Sequence, residues 1–92
     1  MGRGGGMIPE SELRTQAGEF LNLFRRALKR SGGDAWVAGQ RVRGLARFLS
    51  KREGAGAARA YAAAALLVYG LTPTAVHRAM ARAAFGVLRS AE

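Results

Sequence analysis

Ninety-two residues leave room for one domain around one modest core, and a chain that is 49% hydrophobic and 23% charged has the composition of a globular fold. Lys and Arg number 15 against 6 Asp and Glu, a formal charge of +9 that makes polyanions the natural partners. The absence of cysteine excludes disulfides, thiolate chemistry and cysteine-ligated metal, and a single histidine argues against any other metal site, so no cofactor and no small-molecule substrate is expected.

Residues 1–8 read as a flexible Gly-rich tail, with one helical domain following over residues 9–90. The start lacks the apolar run of a secretory signal, and the longest apolar stretch, Ala60–Leu71, is too short to span a bilayer. An intracellular, cytoplasmic protein with no membrane partner is therefore expected. Pro9, with Glu10 and Glu12 near the positive end of the helix dipole, opens the first helix. Leu13, Ala17, Phe20, Leu21, Phe24 and Leu28 recur every three or four residues and build one apolar stripe up to about Arg30, where Ser31-Gly32-Gly33 stops it.

Asp34 is placed to cap a second helix that runs to about Lys51, with Ala38, Val42, Leu45, Ala46 and Leu49 as its apolar face. At 100° per residue Arg43, Arg47 and Lys51 fall on the opposite side, and Arg41 and Arg52 flank the apolar stripe. Trp36 reads as a core or helix-packing aromatic. After the breaker Glu53-Gly54-Ala55-Gly56, an Ala-rich third helix over Ala57–Tyr69 packs through Tyr61, Ala65, Leu66 and Tyr69. In the tight turn Gly70-Leu71-Thr72-Pro73, Gly70 suits the left-handed conformation, Thr72 a cap and Pro73 the first turn of the next helix. That fourth helix, Thr74 to about Arg89, turns Val76, Met80, Ala83, Val87 and Leu88 inward, with Phe85 also read as core, and lines Arg78, Arg82 and Arg89 along its outside. No stretch alternates with the period of two that a strand needs. The fold class is all-α, a compact bundle of four short helices.

The charge is unevenly placed. Residues 1–24 sum to −1 and residues 60–92 to +2, whereas residues 25–59 hold ten basic side chains against Asp34 and Glu53, for +8. Arg43, Arg47 and Lys51 stand four residues apart, a spacing at which like charges repel by a few tenths of a kcal/mol per pair. A polyanion offsets that repulsion through counterion release, provided the basic groups between Arg25 and Arg59 share one outward surface. The string from Ala65 through Gly70 and Pro73 to Met80 also has the form of a helix-turn-helix, which leaves Thr74, His77, Arg78 and Arg82 at the exposed start of a reading helix. His77 stands without cysteine or clustered carboxylates and reads as a surface or DNA-facing side chain rather than a metal ligand. The candidate DNA contacts are thus Arg41, Arg43, Arg47, Lys51, Arg52, Thr74, His77, Arg78 and Arg82.

Across residues 19–89 the order of features resembles the N-terminal core-binding domain, SAM-like in fold, of tyrosine recombinases and phage-type integrases. Glu19-Phe20-Leu21-Asn22-Leu23-Phe24 through Gly33, then Val42-Arg43-Gly44-Leu45-Ala46-Arg47-Phe48-Leu49, match the opening helix, turn and second helix of that family. Ala58-Arg59-Ala60-Tyr61-Ala62-Ala63-Ala64, Tyr69-Gly70-Leu71-Thr72-Pro73-Thr74 and Ala83-Ala84-Phe85-Gly86-Val87-Leu88 match its third helix, Gly-Leu-Ser/Thr-Pro turn and fourth helix. The resemblance implies a four-helix clamp on one side of double-stranded DNA, with the second and fourth helices in or across the major groove. The family's nucleophilic tyrosine and its Arg/His/Lys set have no counterpart, and Tyr61 and Tyr69 lie on apolar faces, so a DNA-binding role without enzyme activity is expected. A stand-alone helix-turn-helix regulator, a structural protein that coats nucleoid or viral DNA, and a helical module for an acidic protein stay open, as does a homo-oligomer.

Overall fold

Residues 9–90 are described by a computed structural model in which α1 (Glu10–Arg30), α2 (Ala35–Glu53), α3 (Ala57–Tyr69) and α4 (Ala75–Arg89) follow one another through short connections. The tail expected over residues 1–8 lies outside the described residues. No strand occurs among those described, and the fold is the expected all-α bundle.

The local chemistry of the breaks explains where each helix stops. α1 follows Pro9, whose carbonyl accepts from the Leu13 N–H at 3.0 Å. It ends in a paired closure: Gly33 N–H donates to Leu28 O at 2.9 Å and Gly32 N–H to Lys29 O at 3.2 Å, with Gly32 and Gly33 at φ of 65° and 90°. The Asp34 carboxylate then accepts from Trp36 N–H at 3.0 Å and Val37 N–H at 3.2 Å, the cap expected for α2. Gly56 has no side chain to cap α3, so the cap is borrowed from α2, where Ser50 Oγ accepts from Ala58 N–H at 3.1 Å.

The last turn departs from expectation. Gly70 is right-handed, at φ −60°, because the chain continues the α3 spiral by one more bond, Gly70 N–H to Leu66 O at 2.8 Å. A side-chain carbon at Gly70 would collide with that carbonyl, so glycine is needed there for space and not for a left-handed turn. The cap of α4 is Thr74, whose hydroxyl accepts from His77 N–H at 3.1 Å, and neither Thr72 nor Pro73 lies in the helix.

Around the bundle the helices touch in the cyclic order α1, α3, α4, α2, and α1 packs most extensively on α3. Phe20, Phe24, Val42 and Met80 are the largest fully buried side chains, set against Ala58, Ala62, Ala64 and Ala65 of α3. No polar or charged residue is buried as a whole among the described residues, although Gln16 Oε1 on α1 is shut from solvent without a partner. Three residues expected inside are outside: Trp36 is 73% exposed, Phe85 51% and Leu45 42%. The reason is angular. Phe85 lies about 100° past buried Ala84, off the packed side of α4, whereas Trp36 lies seven residues before Arg43 on the α4-facing flank of α2, at the rim of the crossing and not under it.

The mixture of bulky and small core residues makes unequal outcomes. Phe24→Ala should cost about 3–5 kcal/mol in urea unfolding, a large part of the stability of a domain this size. Gly44→Ala, in mid-helix with open space around its missing Cβ, should instead add roughly 0.5–1 kcal/mol.

Tyr61 supplies a pH test. Burial, and then the hydrogen bond its hydroxyl donates to Glu53 Oε1 at 3.0 Å, raise its pKa above the ordinary 10.0. A phenol held neutral in the fold adds stability below pH 10.0 and loses it as the pH rises through the folded value. Absorbance titration should show Tyr61 ionising late, and Glu53→Gln should bring it back toward the ordinary 10.0.

Candidate nucleic-acid interface

α2 and α4 cross where side chains are smallest. A Cβ built on Gly39 would sit 4.0 Å from Ala83 Cβ, and one on Gly86 would sit 3.6 Å from Arg43 Cδ. Arg43 therefore lies half-buried along the crossing, and its guanidinium donates to Ser90 Oγ at 2.9 Å. Ser90 in turn donates to Gly86 O at 3.0 Å. From α3, Arg59 reaches across to donate to Leu88 O at 2.8 Å. Two guanidiniums thus occupy the C-terminal end of α4, where the helix dipole and its last carbonyls favour positive charge.

On either side of Arg43 the crossing opens into a depression. One is a cleft of about 390 Å³ with Arg43, Arg47, Lys51 and Arg59 around its rim and Ala46, Ala58 and Val87 in its floor. The other is a groove of about 260 Å³ bounded by Trp36, Gln40, Arg43, Arg82 and Arg89. Among the described residues no carboxylate lines either one. Six cations, Arg43, Arg47, Lys51, Arg59, Arg82 and Arg89, consequently share one face.

Three of the carboxylates are engaged elsewhere, and Glu12 and Glu19 stand on α1. Glu10 pairs with Arg14 at 3.0 Å and Glu53 with Arg52 at 3.1 Å, and these are the only ion pairs among the described residues. Asp34 is held by the two backbone N–H groups that it caps. The cationic face has no internal counter-charge among the described residues, and its attraction for an anion is limited mainly by salt.

The structure divides the residues expected at DNA. Arg43, Arg47, Lys51 and Arg82 come together on the α2–α4 face. Arg41 lies on the other flank of α2, sharing a groove with Arg26, Arg30 and Leu45, and Arg52 sits there too, against Glu19 and Tyr61 of a neighbouring hollow. The basic groups from Arg25 to Arg59 therefore occupy two surfaces, because α1 and α4 pack on opposite sides of α2. Arg43, expected on the outer side, is instead wedged at the helix crossing. Thr74 is committed to its cap, with its hydroxyl 2.6 Å from His77 Nδ1. The His77 ring is half-buried and tilted against Tyr69, centroids 5.2 Å apart. These two residues fasten the start of α4 to α3, whereas Arg78 is exposed and makes no ion pair among the described residues.

Arg59, Arg89, Gln40 and Trp36 join the face although the sequence does not point to them there. Arg59 and Arg89 are visible in the chain only as charge, since their approach to α2 is a property of the packing. Among the described residues no cluster of His, Asp and Glu could hold a metal, and no helix is long and apolar enough to cross a membrane. Comparison of the chain with protein-family models, curated proteins and solved structures finds no match.

The two kinds of arginine should separate in unfolding experiments. Arg43→Ala and Arg59→Ala each remove a charged hydrogen bond and should lower stability by about 1 kcal/mol. Arg47→Ala and Lys51→Ala remove no bond and should stay within about 0.5 kcal/mol of the parent chain; equal losses at all four would mean that the bonds to α4 contribute nothing.

Proposed function

We propose that this chain binds duplex DNA by laying its α2–α4 face along the phosphate backbone, and that it cleaves nothing itself. One observation carries the reading: six cations converge on that face from three helices with no carboxylate among them in the described residues. From Trp36 to Lys51, α2 extends about 22 Å, enough to follow roughly six base pairs at 3.4 Å each. The resemblance to core-binding domains of tyrosine recombinases supports duplex DNA as the ligand, since it assigns the same two helices to the DNA. It also makes a recombination or integration complex on nucleoid or viral DNA the setting we propose. No residue on the face pairs a nucleophile with an activating base, so the role is grip and positioning.

The test is the salt dependence of binding to a labelled duplex, followed by fluorescence anisotropy. Six phosphate contacts give a log–log slope of about −5. The double variant Arg47→Ala with Lys51→Ala should weaken binding and make the slope shallower by about 2, while Arg26→Ala with Arg30→Ala, on the other flank, should change it little. Binding that ignores salt, or that responds equally to both pairs, rules the assignment out. Competition with random duplex separates a sequence-reading protein from one that coats DNA.

A further inference from the structure

Trp36 is the only tryptophan in the chain, and it is exposed where a core position was expected. An indole left in water forgoes one of the largest burial gains any side chain offers. The main chain beneath it is fixed: the backbone N–H of Trp36 donates to the Asp34 carboxylate at 3.0 Å, which locks the first turn of α2. No aromatic ring stacks on it among the described residues. It forms one wall of the groove whose other polar groups are Gln40, Arg43, Arg82 and Arg89. A flat apolar ring beside an amide and three guanidiniums is the donor set for one nucleotide: the ring stacks the base, the amide bonds its edge, and the arginines take the flanking phosphates.

We infer that Trp36 is a stacking platform for a single unpaired base at the end of, or at a gap in, the DNA that the α2–α4 face holds. The inference rests on the DNA-binding reading above and refines it. The two depressions have different work. The cleft of Arg47, Lys51 and Arg59 has an aliphatic floor, rim cations and two serine hydroxyls, Ser50 and Ser90, already bonded within the protein, and it meets backbone. The Trp36 groove adds the one π-surface and the one amide on that face, and a base inside an intact duplex cannot present its flat side to them. The ligand that uses both depressions is therefore a duplex continued by a short single strand.

The experiment compares a blunt DNA duplex with the same duplex carrying a short single-stranded overhang, reading anisotropy of the labelled DNA and emission of Trp36 together. The overhang should bind about tenfold more tightly and quench Trp36, and the blunt duplex should leave the emission nearly unchanged. Trp36→Ala should lose the tenfold preference, weakening the overhang DNA far more than the blunt duplex, and Trp36→Phe should retain most of the preference. Arg47→Ala with Lys51→Ala should weaken both DNAs and keep the preference. Equal affinities with silent tryptophan emission overturn the platform and leave DNA binding intact; failure of either DNA to bind overturns the DNA-binding reading and the platform with it. A preference for the overhang that survives Trp36→Ala also overturns it, because the selection then lies elsewhere on the face.

Discussion

Two phenylalanines against a wall of alanine hold this molecule together. The fully buried residues of α3 are all alanines, with Tyr61, Leu66 and Tyr69 packed at the margin, so the central bulk comes from Phe20 and Phe24 of α1, with Met80 and Val42 completing the core. Because interiors are close-packed, that complementarity fixes α1 on α3 and leaves α2 and α4 to close the other side of the ring. They close it over Gly39, Ala83 and Gly86, where large side chains would force the helices apart. The side chains these helices carry beyond the crossing are therefore pushed outward, and many of them are arginine.

A surface of this kind is electrostatically costly in isolation. Arg43, Arg47 and Lys51 lie on one side of one helix with no carboxylate between them, and their mutual repulsion is relieved only by solvent, salt and the two hydrogen bonds that engage Arg43 and Arg59. The scaffold tolerates this because its stability is drawn from an interior that, among the described residues, holds no charged side chain. Burial and charge are kept on different sides of the same helix, and an anion can be bound or released without disturbing the packing beneath.

Local chemistry is readable from the chain, and assembly is not. Asp34 as a cap and Gly32-Gly33 and Gly54–Gly56 as breaks act on backbone within a few residues, and all four helices are found where those signals put them. Trp36 and Phe85 are misplaced by the sequence reading because hydrophobicity says that a side chain gains by burial, without saying whether a neighbouring helix reaches it. The split of Arg41 and Arg52 from Arg43, Arg47 and Lys51 is already present in the 100° geometry of α2. Geometry alone leaves open which side α1 covers. Thr74 and His77 illustrate the reverse case, in which the helix start is placed to within a residue but its cap is Thr74 in place of Thr72, and its groups are occupied by each other and by Tyr69.

Arg43 and Arg59 serve two masters, since the guanidiniums that face the cleft also hold the final turn of α4. A genetic scan scored by survival would rank them above Arg47 and Lys51, and would do so even if all four meet the ligand equally, because loss at the first pair lowers abundance as well as affinity. Tolerance maps of this protein therefore have to be divided by expression level before they are taken as a footprint.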